Sequence, residues 1–250
     1  MESLKSFLKS EISALRSEVS GFEYALWWII RAIQSFVLVK MIVTDITNNN
    51  ILLLSLNLLA TFTVPLVRLL LFPKRIFTRL SFHSQTWLNV MIFFGSFLAQ
   101  GLGWNHTVTS WDKLLHLMAG AIIVFIGDGV AGMFIGENDR VSPLFRTYAA
   151  TGFSYIAIVI WEVFEFFVDF YWAGSNNQAY NINPERDRFF FMIFGQGAQN
   201  ENQWAVFDTC VDMLCAVAGT IPAVIGLYLW LKRKQKKAAS ISEKETVSAQ

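Results

Sequence analysis

Charge is what this sequence has least of. Only 16% of its 250 residues are Asp, Glu, Lys or Arg, against about a quarter in ordinary soluble domains. With 54% hydrophobic residues, 23 Phe and 9 Trp, the chain holds more apolar surface than one globular core can hide. That excludes a soluble domain and makes a polytopic membrane protein the default reading. Cysteine is nearly absent: Cys210 and Cys215 fall five apart in one helical stretch, a spacing unsuited to a disulfide. No redox compartment follows from them. There is no cysteine-based metal motif, phosphate-binding loop or nucleophile elbow. A net charge of +1, with no concentrated basic face, argues against nucleic acid as a partner.

What is present is a series of long apolar runs. A spanning helix needs about 20 mainly apolar residues, and six stretches qualify: Phe22 to Thr44, Ile51 to Phe72, Thr86 to Gly103, Trp111 to Ile135, Thr147 to Trp172 and Trp204 to Leu231. The expected fold class is all-α, a polytopic membrane helical bundle of about six transmembrane helices, preceded by an amphipathic interfacial helix. That first helix, over residues 1–20, repeats Leu4, Phe7, Leu8, Ile12, Leu15 and Val19 at helical spacing between Lys5, Lys9, Glu11 and Arg16. Its acidic residues argue against a cleaved signal peptide. The membrane domain covers 21–231, with its motifs in 111–220. The 232–250 tail is basic, then polar, and its composition predicts disorder.

Short cytoplasmic loops collect Lys and Arg. With the N-terminus inside, cytoplasmic segments hold fourteen bases, from Lys5 to Lys244, and the outer loops hold only Arg186 and Arg188. This places both termini in the cytoplasm. The long outer connection, 173–203, is rich in Asn and Gln and contains the apolar run Phe189 to Phe194, which either dips into the interface as a lid or packs on helix ends. Asn105-His106-Thr107 in an outer loop is formally a glycosylation sequon, and a chance match is the simpler reading. Asp128 and Arg68 read as interfacial, snorkelling residues, and His83 and His106 as solvated loop residues. Pro65 and Pro222 fall inside spans, where a kink is tolerated if the freed carbonyls find partners.

Ionisable residues inside spans are costly and normally face the bundle interior. Three groups stand out. Asp112 and His116 share a helical face at the start of span four; Glu162, Glu165 and Asp169 form a stripe in span five; Asp208 and Asp212 repeat the four-residue spacing at the start of span six. At about 1.5 Å rise per residue, all three stripes reach the same level in the outer half of the bilayer. Gly120 and Gly127 in span four, and Cys215, Ala216 and Gly219 in span six, continue these faces with small residues that permit close packing. Tyr155 shares a face with Glu162 and is placed to donate a hydrogen bond to it.

Like charges so close either share protons or hold a cation between them. A divalent metal is the economical expectation, ligated by Asp112, His116, Glu162, Glu165, Asp208 and Asp212; oxygen-dominated ligands favour Mg²⁺, Mn²⁺ or Ca²⁺ over Zn²⁺. Neutralisation by Arg31, Lys40 or Lys113, an internal salt-bridge network, and a protonatable network stand as alternatives.

The trio of Asp112, His116 and Gly120, then Glu162 and Glu165, then Asp208 and Asp212 resembles the YjdF-like bacterial inner-membrane proteins and, more distantly, the VanZ-like proteins. The resemblance covers Trp111 to about Thr220. Where the YjdF-like pattern has a further acid, this chain has Ala216. The first likeness implies an inner-membrane protein and no particular chemistry; the second implies cell-envelope chemistry.

The expected function is a metal-dependent hydrolase or transferase acting on a phosphorylated or polar envelope lipid at the extracytoplasmic face. His116, Glu162 and Glu165 are the catalytic candidates, with His116 as ligand or general base. Lys113, Tyr155, Arg186 and Arg188 are the substrate-binding candidates, the bases meeting a lipid phosphate. The expected partners are membrane lipids and a lipid-linked substrate. A small ion-coupled transporter using the acidic cluster, and a non-catalytic membrane component, are the competing readings.

Overall fold

The computed structural model describes residues 4–45, 50–71, 76–108, 110–135, 141–171, 177–178 and 201–248. Among them every regular element is helical. In chain order these are α1 (Leu4–Glu18), α2 (Gly21–Thr44), α3 (Asn50–Ala60), α4 (Thr63–Leu70), a 3-10 turn (Phe77–Arg79), α5 (His83–Met91) running on as a π-helical stretch (Ile92–Gly101), the short α6 (Trp104–Thr107), α7 (Trp111–Phe134), α8 (Pro143–Tyr171) and α9 (Glu201–Ser248). Among the described residues three helices are long and apolar enough to cross a membrane, Gly21–Thr44, Trp111–Phe134 and Trp204–Ile241. The pair α3 and α4, bent by 65°, would be a fourth. The sequence predicts six.

The chain divides into two compact units, Met1–Trp111 with Gly132–Phe134, and Asp112–Ala131 with Ile135–Gln250. The first is organised around buried Trp27, Val64 and Phe82, with Ala14, Leu15 and Val19 packed against them. One face of α1 is therefore occupied by protein. Phe7 is buried, Glu11 pairs with Arg68 at 2.5 and 3.0 Å, and Glu18 accepts from Ser81 Oγ and the Phe82 amide. Leu4, Leu8 and Ile12 remain exposed on another face. Arg68, expected to snorkel, is instead buried, adding a 2.5 Å bond to the Leu80 carbonyl and lying 4.2 Å from the Phe82 ring centroid. A guanidinium with that many acceptors nearby has no need to reach water. His83, expected in a solvated loop, opens α5 with Nδ1 2.8 Å from Glu23 Oε1. The side chain of His106 lies outside the described residues.

The bend between α3 and α4 follows from Pro65. Proline has no N–H to donate to the carbonyl four residues back, that of Thr61, and Arg31 of α2 supplies the missing donor: its Nη2 reaches Thr61 O at 2.6 Å and its Nε reaches Thr61 Oγ1 at 3.1 Å. The buried backbone amide of Val64 at the start of α4 is met as well, donating to Gln85 Oε1 at 2.7 Å. The kink is thus closed by side chains from two neighbouring helices. Arg31 is committed to this bend, and Lys40 is exposed on α2.

In the second unit α7 and α9 run side by side in the same direction. Close contacts keep a near-constant offset along them, from Lys113 with Asp208, through His116 with Asp212, to Gly120 with Ala216. The contact is backbone against backbone. A Cβ on Gly120 would lie 1.9 Å from the Ala216 carbonyl oxygen, and one on Gly219 would lie 1.8 Å from that of Leu117. Helix α8 runs against α7, with Ala150 packed on Val124, Ala223, Leu227 and Leu231. Asp128 was expected at the interface. It is buried and accepts two hydrogen bonds from Arg146, at 2.5 and 2.9 Å, which pin one end of the α7–α8 pair. Helix α9 continues to Ser248, where composition suggested a disordered tail; Lys, Ala, Gln and Glu in that stretch are good helix formers.

Candidate functional site

The acidic stripes of α7, α8 and α9 meet at the opposite end of the second unit from the Asp128–Arg146 pair. Helical spacing puts each pair on one face, and the glycine crossing one turn further along brings α7 and α9 close enough for the faces to touch. Glu162, Glu165, Asp208, Asp212 and His116 are all buried, and Asp112 is the most open, its side chain 23% exposed.

Lys113 organises one side of the cluster. Its Nζ lies 3.0 Å from Asp112 Oδ2, 2.8 and 2.9 Å from the two oxygens of Asp212, and in a short hydrogen bond with Asp208 Oδ1. An ammonium has three donors, and here all three are taken by carboxylates. That geometry leaves none for the lipid phosphate Lys113 was expected to meet.

His116 faces both ways. Its Nε2 is 3.7 Å from Asp112 Oδ1 and 3.9 Å from Asp212 Oδ1, while its Nδ1 is 3.5 Å from Glu162 Oε1. On that second side the surroundings change. Glu162 is 4% exposed, and neither of its carboxylate oxygens accepts a hydrogen bond among the described residues. Glu165 is held by Trp161 Nε1, which donates to its Oε1 at 2.8 Å. Ligand atoms of His116, Glu162 and Glu165 lie within 4.8 Å of one another, as do those of Asp112, His116 and Asp212.

These two groups of three are not equivalent as metal ligands. The Asp112 and Asp212 group already contains the Lys113 ammonium. The His116, Glu162 and Glu165 group has one nitrogen, two carboxylates and, among the described residues, no protein cation, so a buried acid there lacks from them the compensation that burial normally requires. This chemistry fits a divalent cation, and Trp161 would orient one of its ligands in the manner common at metal sites.

Several residues fall outside this arrangement. Tyr155 is 40% exposed and does not bond Glu162; seven residues separate them, about 10 Å along a helix axis, too far for the phenol. Asp169, on the same stripe as Glu162, turns to the chain that follows α8 and accepts from Asn177 N, Asn177 Nδ2 and Gln178 N. Arg186, Arg188 and the Phe189 to Phe194 run lie outside the described residues. Two contributors escape a reading of acids alone. Trp161 was legible as the residue four before Glu165. Gln178, buried and donating to the Glu162 carbonyl and Thr209 Oγ1, carries no signal in its local sequence.

Beside the cluster, one face of α8 forms an apolar groove lined by Phe153, Ile156, Ala157, Ile160, Trp161 and Phe164. Trp161 belongs to both, its ring in the groove and its indole N–H on Glu165.

Neither curated proteins nor solved structures offer a match to the chain. A family model described as "Predicted membrane protein (DUF2238)" matches residues 26–233, a span that takes in both the bent helix pair and the acidic cluster. The chain is a membrane protein and belongs to this family, which includes the YjdF-like proteins.

Proposed function

We propose that the protein is a metal-dependent membrane hydrolase or transferase acting on a phosphorylated or polar envelope lipid at the extracytoplasmic face. The observation that carries this reading is Glu162, a buried carboxylate whose oxygens meet no donor at hydrogen-bonding geometry among the described residues, beside His116 and Glu165. These three residues would hold one divalent cation, with Mg²⁺, Mn²⁺ or Ca²⁺ preferred over Zn²⁺ by the carboxylate majority. When bound, the cation supplies Lewis-acid polarisation of a phosphoryl oxygen.

The chain's own residues do the rest. Lys113 holds Asp112, Asp208 and Asp212 as one block, which fixes the side of His116 away from Glu162. His116, set between that block and Glu162, either ligates the cation or, left uncoordinated, is the group placed to hold or move a proton. Asp112, the most open member, faces incoming substrate. The groove on α8 would take an acyl or prenyl chain, with Trp161 joining it to the cluster.

This reading includes a six-span topology with both termini cytoplasmic, in which α8 and the α5 π-helical segment are also spans and the exposed Leu4, Leu8 and Ile12 stripe of α1 lies on the inner membrane surface. A distant kinship with VanZ-like proteins would fit the same envelope setting.

The experiment is phosphate release from long-chain phosphatidic acid by the purified protein in nanodiscs. Release that needs a divalent cation, stops with chelator and is lost in Glu162→Gln supports the proposal. Turnover that continues in chelator, or survives Glu162→Gln, overturns it. The Lys113 block favours a second reading, in which that half of the cluster is structural and the protein is not catalytic. Flux across liposomes that depends on Glu162 or Asp212 would instead favour an ion-coupled transporter.

A further inference from the structure

The first unit holds a second buried polar group, remote in chemistry from the acids. Arg31 is 5% exposed, and no carboxylate pairs with it among the described residues; its neighbours are Thr61 and the rings of Trp27, Trp28 and Phe62. Gln34, Asn57 and Asn89 are 1%, 6% and 0% exposed. The amide nitrogen of each, and Gln34 Oε1, has no hydrogen-bond partner among the described residues. The orientation of Asn89 is fixed from behind, since its Oδ1 accepts from Gln85 Nε2 at 2.6 Å and so its Nδ2 points away from Gln85.

Helical register brings these groups together. Trp27 Nε1 bonds Thr86 Oγ1 and His83 bonds Glu23, so α2 and α5 run side by side in the same direction. Four residues on from Trp27 is Arg31, and three on from Thr86 is Asn89, at the same level. Arg31 also meets Thr61, which follows the last residue of α3. One turn from that contact toward the α2–α3 connection lie Gln34 on α2 and Asn57 on α3. A guanidinium and three amide N–H₂ groups thus occupy two adjacent turns, all donors and nearly all buried.

Buried donors without acceptors are costly, and three beside a guanidinium that has neutral hydrogen-bond acceptors and aromatic rings but, among the described residues, no carboxylate call for an acceptor of negative charge. One guanidinium balances one charge, and near-complete burial favours an ion without a bulky headgroup. We propose that Arg31, Gln34, Asn57 and Asn89 form a site for one small monovalent anion of the chloride class. It is independent of the acidic cluster and of any reaction there.

The test is ³⁶Cl⁻ binding to the purified full-length protein in detergent, in a sodium gluconate buffer. Saturable binding displaced by bromide and nitrate is expected. Asn89→Asp places a carboxylate of the same shape beside Arg31 and should weaken chloride binding about tenfold or more, while leaving the melting temperature in gluconate unchanged or raised. Gln34→Leu should weaken it as well. Wild-type protein that melts cooperatively yet binds no chloride would show a water-filled polar layer only and overturn the proposal. So would chloride binding indifferent to both substitutions, or displacement by inorganic phosphate alone.

Discussion

His116 Nδ1 and Glu162 Oε1 stand 3.5 Å apart across the α7–α8 interface, and among the described residues the carboxylate accepts no hydrogen bond to hold it there. On the other side of the same imidazole, three aspartates are bound by one lysine. The cluster therefore has a compensated half and an uncompensated half. Among the described residues five carboxylates share one ammonium, and the surplus negative charge falls on the side of Glu162 and Glu165.

Lys113 is the support of the compensated half. Lys113→Met removes, at nearly constant volume, the ammonium that Asp112, Asp208 and Asp212 share, taking a cation away from buried carboxylates. Breaking a buried pair from one side costs about 3–5 kcal/mol, so a large fall in melting temperature is expected in detergent. The double variant Lys113→Met with Asp212→Asn should recover part of the loss, because it removes one of the stranded charges. Absence of recovery would mean that the ammonium acts through something other than Asp212.

The crossing of α7 and α9 is the second dependency. Gly120→Ala puts a methyl group 1.9 Å from the Ala216 carbonyl oxygen, so the helices must separate. A loss of about 1–3 kcal/mol or more is expected. Gly152→Ala is the control: nothing lies within 4 Å of its Cβ position, and alanine's better helix propensity should raise stability by up to about 1 kcal/mol. Equal effects at the two glycines would contradict the close approach.

In the first unit, Arg68 ties α1 to α4. Arg68→Met should cost about 3 kcal/mol or more by stranding Glu11 and should speed amide hydrogen exchange across Leu4–Glu18. Glu11→Gln should have the same effect on exchange with a smaller loss of stability. If α1 were held by the membrane surface alone, neither substitution would change its exchange.

The sequence shows why some of this was legible and some was not. Spacings of three and four residues assign Asp112 with His116, Glu162 with Glu165, and Asp208 with Asp212 to common faces, because helical periodicity is a local property. The small residues at Gly120, Ala216 and Gly219 announce a close crossing for the same reason. Partners distant in sequence are not announced. Arg68 finds Glu11 and Trp27 finds Thr86, 57 and 59 residues away, and a buried base takes whichever acceptor the tertiary fold offers. Arg31 illustrates this: it could be noticed as a charge in a span, but its role of replacing the donor that Pro65 lacks depends on α2 lying beside the bend. Tyr155 errs the other way, since two residues on one face need not touch when two turns lie between them. Helix continuity is likewise not announced, because a run such as Ile51 to Phe72 looks continuous in hydropathy yet bends by 65° between α3 and α4.

The most direct measurement for the site is equilibrium dialysis of purified, chelator-stripped protein against Mn²⁺, with bound metal counted by mass spectrometry. Wild-type protein should retain about one Mn²⁺ per chain on its carboxylate and imidazole ligands, and Glu162→Gln, which keeps the shape and removes the charge, should lose it while still melting cooperatively. Wild-type protein that folds and binds no divalent metal, or a Glu162→Gln variant that binds as wild type does, would contradict the account.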